Sequence, residues 1–236
     1  MKERKCPFLE TKTVTFCKAY PVKMIPLDRM SSSKGMCNTT DFMGCSLYSE
    51  VSHSAKGLDN VRGFQLKSDC YYHPKHLWVS LSRESDGEAR VGVDDFATRL
   101  IGKIDRVSLP GASMCVKENS ICFLLHSGQR TARFISPTDG SIKAVNPKIA
   151  SDPSIINQDP YGDGWIFSMR PKGDAVSGLF HENVARKWLE CEVERLQKVF
   201  AADLGMTATD GGEALPDISG RLTEAQWGKI VNQFLG

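Results

Sequence analysis

Four cysteines near the start of the chain are the residues whose type and spacing best suit a chemical role. Successive members are separated by ten, nineteen and seven residues, at Cys6, Cys17, Cys37 and Cys45. Four thiolates can bind zinc or an iron–sulfur cluster, and such a site would stabilise residues 1–50, which are rich in proline and serine. The sequence therefore predicts a Cys₄ metal site and leaves both metals open. The alternative is four free cysteines in an irregular segment, because no pair has the two-residue spacing of a zinc knuckle.

The other cysteines have a simpler interpretation. The chain holds eight in total and shows no secretion signal, so thiols are expected rather than disulfides. Cys115 and Cys122 lie in or beside apolar strands and are predicted to be inert core residues. Cys70 is interpreted in the same way, with a spare metal ligand as the alternative.

Composition argues against several classes of function. A net charge of +2 over 236 residues does not favour nucleic acid as the main partner. No apolar run approaches the roughly 20 residues that cross a bilayer, and the first ten residues, MKERKCPFLE, lack the apolar core of a signal peptide. A cytoplasmic protein with no membrane partner is expected. The chain carries no nucleophile elbow, phosphate loop, metalloprotease helix or dinucleotide fingerprint, so no enzyme activity is predicted.

A predicted hairpin over residues 120–145 is the element around which the middle of the chain is organised. Residues 121–125 form an apolar run typical of a buried strand, and the polar stretch from His126 to Arg130 breaks it. Gly128 is free to adopt a positive φ at the tip, and apolar character resumes at 132–135 and again at 142–145. The pattern predicts strands that present Gln129 and Arg130 to solvent.

Further strands and helices surround this hairpin. Strands are predicted at 77–81, 89–93, 104–109 and 164–169. A short helix should begin after Asp94 and end at Gly102. The fold class is therefore mainly β with helical extensions. The predicted organisation is a cysteine-rich segment (1–50), a connector with one short extended piece (51–70), a β domain (71–171) and a helical extension (172–236).

Two amphipathic helices are predicted in the extension. The first spans 182–204, and its predicted apolar face consists of Val184, Trp188, Cys191, Leu196, Val199, Phe200 and Leu204. The second opens with a capping box at Thr223 to Gln226. Their apolar faces must cover the β domain, the cysteine segment or another copy of the chain, so a protein partner and the oligomeric state remain open.

Several motifs resemble the H protein of the glycine cleavage system. They are YHPKHLWV at 72–79, GVDDFA at 92–97, Ser136-Pro137 followed by Gly140, and NQDPYGDGW at 157–165. The resemblance covers about residues 71–171. It implies a flattened barrel-sandwich hybrid of lipoyl/biotinyl type, with lipoate on a lysine at a hairpin tip and Trp165 packed inside.

The sequence departs from this family at the tip itself. Counting back from Ser136-Pro137, the lipoyl-lysine position implied by the resemblance falls on Gln129, and the acidic residue three positions earlier falls on His126. Lipoylation needs an amine nucleophile, and the nitrogen of a glutamine amide is delocalised into its carbonyl. Lys117 and Lys143 fall outside the turn, and the Arg130 guanidinium stays protonated. Lipoate is therefore expected to be absent.

Together these features predict a non-lipoylated binding or adaptor protein of H-protein type that works with a protein partner. One alternative is an electron-transfer protein in which the four N-terminal cysteines hold an iron–sulfur cluster. Another is an H-type carrier that is modified in an unexpected way.

Overall fold

The structure is a computed structural model that describes residues 57–81, 87–204 and 218–236. Short antiparallel strands dominate this part of the chain. The strands are β1 (Leu58–Val61), β2 (Phe64–Lys67), β3 (Tyr71–His73), β4 (Leu77–Leu81), β5 (Ala89–Val93), β6 (Arg106–Ser108), β7 (Cys115–Val116), β8 (Ile121–Ser127), β9 (Arg130–Ile135), β10 (Gly140–Val145), β11 (Phe167–Pro171) and β12 (Phe180–His181). The helices are α1 (Asp95–Ile101), α2 (Pro147–Ser151), α3 (Ile155–Gln158), α4 (Glu182–Leu204) and α5 (Glu224–Phe234), and a 3₁₀ turn spans Ser219–Arg221. The prediction of a mainly β fold with helices is confirmed.

Within these residues the strands form three sheets. The largest has the order β12-β3-β4-β5-β11-β10-β7, a smaller one has the order β6-β8-β9, and β1 pairs with β2. The predicted hairpin is present, because β8 pairs antiparallel with β9 from Ile121↔Ile135 to Ser127↔Arg130. The strand predicted at 164–169 lies slightly later, at Phe167–Pro171.

The core is built on aliphatic side chains from the centre of the large sheet. Leu77 and Val79 of β4 pair with Val93 and Val91 of β5, and all four are fully buried. Burying such a side chain stabilises the fold by about 1.5–3 kcal/mol. The buried apolar side chains form one cluster that also includes residues of the small sheet and of α1, α4 and α5.

The stretch predicted as a connector, 51–70, belongs to this core from Gly57 onward. Residues 57–236 form one compact unit. Phe64 and Leu66 of β2 are almost fully buried, and so is Val61 of β1. The expected extended piece is therefore one arm of a hairpin. The polar residues Asp59 and Asn60 lie within β1, and Asn60 Oδ1 accepts a hydrogen bond from the Gly63 amide of the following turn at 2.8 Å.

Helix α1 begins and ends where the sequence predicts. The Asp94 carboxylate accepts a hydrogen bond from the Ala97 amide at 2.8 Å, which caps the helix. Gly102 follows with φ 88°, and its amide donates to the Thr98 carbonyl. This helix covers the core with Phe96, Leu100 and Ile101, which are fully buried.

Helix α5 packs on the β domain, which was one of the three partners left open by the sequence. The predicted capping box between Thr223 and Gln226 is present. Trp227 is buried and donates its indole N–H to the Leu100 carbonyl of α1 at 3.2 Å, while Phe234 contacts Phe96 with ring centroids 5.6 Å apart. No helix in the described residues has the length and apolar character needed to cross a membrane.

Helix α4 also packs on the domain, and its buried face overlaps the predicted one in part. The prediction was wrong for Val184, which is 60% exposed, and for Cys191, which is exposed. Leu196 is buried and Trp188, Val199 and Phe200 are partly buried, as predicted, whereas the sequence interpretation left out the buried Ala185, Leu189 and Val193. Their spacing follows the helical period, whereas the sequence interpretation followed the larger apolar side chains.

Two other burial predictions need correction. Cys115 lies at the short edge strand β7 and is exposed, whereas Cys70 and Cys122 are buried as predicted. Burial raises the pKa of Cys70 to about 12 and that of Cys122 to about 11, so both thiols are inert. Trp165 is only half-buried; the fully buried tryptophan of this region is Trp78.

Candidate functional site

The hairpin tip consists of two exposed residues, Gly128 and Gln129, between the paired ends of β8 and β9. Gly128 has φ 59°, the left-handed value that the first central position of a type II′ turn requires. Its amide donates to Asp105 Oδ2 at 2.6 Å, which ties the turn to the segment before β6. The expectation that Gln129 lies at an exposed tip is met.

Arg130 follows the turn but does not face solvent, so this part of the sequence interpretation was wrong. Its guanidinium donates to the backbone carbonyls of Ser219 at 3.0 Å and Leu222 at 2.8 Å, and to Glu224 Oε1 at 2.9 Å. The same group lies 5.4 Å from the centroid of the Trp227 ring. All of these partners belong to the C-terminal segment, so Arg130 fixes the base of the tip to that segment.

His126 lies at the end of β8, where its ring is held between two hydroxyl groups. Its ring Nε2 lies 3.0 Å from the Ser108 hydroxyl and its Nδ1 lies 2.9 Å from the Thr131 hydroxyl. Burial and the nearby charge of Arg106 lower the pKa of His126 below its ordinary value. The sequence showed no partner for this side chain; the structure supplies one hydroxyl for each ring nitrogen. The position therefore carries no negative charge.

No amine lies in the turn. Lys117 follows β7 and Lys143 lies within β10, and both are exposed at a distance in sequence from the tip, as expected. The tip therefore offers one amide, that of Gln129, and a guanidinium already engaged with the C-terminal segment.

The predicted metal ligands Cys6, Cys17, Cys37 and Cys45 lie outside the described residues. Among residues 57–81, 87–204 and 218–236, no group of three or more His, Cys, Asp or Glu side chains is placed to hold a metal ion. The Cys₄ site remains a prediction from the sequence.

A buried charged cluster was missed by the sequence analysis. His76 is fully buried, and its Nδ1 lies 2.8 Å from Asp94 Oδ2. Its Nε2 has no hydrogen-bond partner and lies 3.8 Å from Glu192 Oε2 on α4. The ring stacks on Phe96 at 4.2 Å. Burial alone would lower the pKa of His76, but the two carboxylates outweigh it, so the pKa lies above its ordinary value.

The longest matching motif, 157–165, has a structural explanation. Pro160 presents its carbonyl to the indole N–H of Trp78 at 3.0 Å, and the Tyr161 hydroxyl donates to the Gln65 carbonyl at 2.7 Å. The Asn157 side chain accepts from the Ile104 amide at 2.9 Å and donates to the Gly102 carbonyl at 2.9 Å. These contacts join the segment to β2, to β4 and to the end of α1.

A family model described as glycine cleavage H-protein matches residues 70–192, more than half of the chain. The chain belongs to the glycine cleavage H-protein family. The match begins almost where the sequence analysis placed it but continues past residue 171 to the middle of α4, so both His76 and Glu192 lie within it.

Two sequence relatives agree with this membership. The glycine cleavage system H protein of Enterobacter sp. (strain 638) is 35% identical over 122 residues, which are 51% of this chain and 93% of the relative. A probable glycine cleavage system H protein of Aeropyrum pernix is 37% identical over 107 residues, 45% of this chain and 73% of the relative. A solved H protein from Mycobacterium marinum is similar with a TM-score of 0.48 and 29% identity, covering 54% of this chain and 99% of that one.

Proposed function

We propose that this protein is a non-lipoylated H-protein relative that acts as a binding or adaptor module. In this proposal the two larger sheets form a barrel-sandwich core of lipoyl/biotinyl type, and residue 129 occupies the position of the modified lysine. The observation that carries the proposal is the chemistry of the tip. The one exposed functional group there is an amide, which cannot attack an activated acyl group.

The anchoring of Arg130 supports the same function. A carrier arm works by moving between sites, whereas this tip is joined to the C-terminal segment through three donor contacts of one guanidinium. Such a fork of hydrogen bonds favours a fixed surface. A fixed surface suits the recognition of a protein partner, because little conformational entropy is lost when it binds.

Lipoylation in vitro tests the proposal. The protein is incubated with a lipoate ligase, ATP and lipoate and then weighed intact, with the Enterobacter H protein as the positive control. We expect no lipoyl mass increment on this chain, because the turn holds no amine. An increment on the unaltered protein, located by peptide mapping, would instead establish a carrier that is modified in an unexpected way.

Two variants separate the contributions of the tip residues. Gln129→Lys alone is expected to gain little, because His126 supplies no carboxylate and Arg130 holds the turn. Gln129→Lys combined with His126→Glu is expected to be modified more fully. If Gln129→Lys alone is modified as completely as the control protein, then Gln129 is the single obstacle and His126 has no part in it.

The relatives are named as components of the glycine cleavage system, and we propose that a protein partner is recognised through the surface around the tip. The N-terminal cysteines add a second part to the proposal. Cys6, Cys17, Cys37 and Cys45 would bind zinc or an iron–sulfur cluster, and in the second case the protein would also transfer electrons.

A further inference from the structure

An open cleft of about 450 Å³ lies beside a row of paired residues on the large sheet. Ser80 of β4, Arg90 of β5 and Ser168 of β11 are register partners, so their side chains share one face. Ser80 and Arg90 line the cleft together with Lys67 and Trp165. Its size falls within the roughly 300–1,000 Å³ of small-molecule sites in proteins.

The walls of this cleft are fixed before any ligand arrives. Trp78 is held by the hydrogen bond from its indole N–H to the Pro160 carbonyl at 3.0 Å. Its ring lies over Gly92, where a Cβ atom would come within 2.3 Å of it, so only glycine fits there. Tyr161 is held by its hydroxyl. A preformed wall lowers the entropy cost of binding.

The cleft is also lined by two acids, and each of them is engaged with other groups. Asp159 accepts hydrogen bonds from the amides of Gly162 at 3.1 Å and Asp163 at 2.8 Å, which closes its turn. Asp163 pairs with Lys148 at 2.7 Å. Asp163 is therefore paired with a cation, whereas Asp159 keeps its charge and directs both oxygens to backbone amides.

Neither cation of the cleft has an acidic partner closer than 3.8 Å among the described residues. In the described part of the chain, the Lys67 ammonium has only long contacts, 3.5 Å to the Tyr161 carbonyl and 3.8 Å to Asp69. The Arg90 guanidinium lies 5.4 Å from the Trp165 ring centroid, and no acidic side chain in the described residues pairs with it. Positive charge beside aromatic walls suits an anion that carries a flat apolar group.

We propose that this cleft binds a small organic anion, with its carboxylate or phosphate at Arg90 and Lys67 and its planar body against Trp165. The inference is independent of the tip, because Lys67 and Arg90 lie on β2 and β5, whereas Gln129 and Arg130 belong to the β8–β9 hairpin of the small sheet. A lipoylation result in either direction therefore leaves it unchanged.

Indole resonances of the ¹⁵N-labelled full chain test the site. The chain has four tryptophans, and Trp165→Phe identifies the signal of Trp165. Benzoate and phenyl phosphate are titrated separately, with neutral benzamide as the matched uncharged probe. We expect one or both anions to shift the Trp165 signal saturably and to leave that of Trp227 in place; which anion binds more tightly identifies the preferred headgroup.

Charge variants decide whether the cations act as proposed. Arg90→Gln should weaken the binding of the anion by about tenfold or more, because a charge-assisted hydrogen bond is lost. Arg186→Gln on the exposed side of α4 is the control and should bind as the parent does. If Arg90→Gln disturbs the Trp227 signal and hence the fold, Lys67→Gln supplies the same test. The proposal is overturned if neither anion shifts Trp165, if benzamide shifts it equally, or if the charge variants bind as tightly as the parent.

Discussion

A single buried histidine links α4 to the strands, and its charge makes that link depend on pH. His76 lies between Asp94, at the start of α1, and Glu192 of α4, which also pairs with Arg195 at 3.2 Å. Protonated His76 is attracted by both carboxylates, whereas the buried Nε2 of neutral His76 gains nothing from Glu192. The folded state therefore favours the charged form.

The free energy of unfolding should fall as the pH rises above the ordinary histidine pKa of about 6.5. The pKa of His76 is raised in the folded state, so its contribution is complete below the unfolded pKa and is lost as pH rises through the folded one. For Glu192 burial alone would raise the pKa, but His76 and Arg195 outweigh it and lower the pKa. Its contribution is therefore present above about pH 4.5 and lost as the pH falls. Urea unfolding across the pH range measures the loss of stability on the alkaline side and on the acidic side, which are the two limbs of the profile. NMR titration of the His76 ring measures its pKa directly.

Glu192→Gln isolates the cause of this pH dependence. We expect it to lower the pKa of His76 and to flatten the alkaline limb, because one of the two carboxylates is removed. Glu190→Gln on the same helix is the matched control, since Glu190 pairs with Arg186 and does not contact His76. An alkaline limb of equal slope in both variants would contradict the assignment to this cluster.

At this scale the sequence predicted contacts between near neighbours and missed those between distant ones. The Asp94 cap and the Thr223 capping box are formed by residues three positions apart, so their pattern is visible in the sequence. Arg130 and Ser219 are 89 residues apart, and no local rule connects them. The sequence placed Arg130 in solvent because a turn residue without a known partner is expected there.

Among the elements, the β8–β9 hairpin and the C-terminal segment stabilise each other through Arg130. Its guanidinium satisfies the carbonyls of Ser219 and Leu222, which precede α5, and only 16% of its side chain is exposed. The rest of α5 is held by buried apolar side chains such as Trp227 and Phe234. The anchor thus acts on the start of this helix, beside the tip.

Arg130→Ala should lower the free energy of unfolding by about 1–3 kcal/mol, because two backbone carbonyls lose their charged donor. Amide hydrogen exchange of residues 218–226 and of the tip should become faster, while the centre of the large sheet stays protected. Arg130→Lys keeps the charge but loses the fork, so an intermediate effect is expected.

Arg133→Ala is the control for the same strand. Arg133 lies three residues further along β9 and is exposed. It should change neither the stability nor the exchange of residues 218–226 appreciably. An equal effect of both substitutions would mean that general charge, and not the anchor, stabilises the segment.

The helix α4 shows why elements are predicted more reliably than their faces. Its observed bounds, Glu182–Leu204, equal the predicted ones. The buried face is set by the neighbouring strands β1, β3 and β12, and those contacts select the small Ala185 and reject the larger Val184. A helix with apolar residues on several sides carries no local information that chooses between them.

For the whole molecule, the unit that folds is larger than the domain predicted from the sequence. The sequence placed the β domain at 71–171, whereas the compact unit spans 57–236. Phe96 illustrates the difference, since its ring contacts Phe64 of β2 at 4.9 Å and Phe234 of α5 at 5.6 Å. Both contacts come from outside 71–171, and removing them would expose apolar surface of the core.

Residues 57–236 alone should therefore unfold cooperatively in urea with a stability close to that of the full chain, whereas residues 71–171 alone should bind a hydrophobic dye and unfold without a sharp transition. The same two chains, the full chain and residues 57–236, locate the metal. Because no metal-ligand cluster exists in the described part of 57–236, zinc or iron measured by mass spectrometry after anaerobic purification should appear in the full chain and be absent from the shorter one. Brown colour that bleaches in air would identify an iron–sulfur cluster, and a colourless zinc protein would remove the electron-transfer function. Metal in neither chain would end the Cys₄ proposal, and metal retained by 57–236 would move the site away from Cys6, Cys17, Cys37 and Cys45.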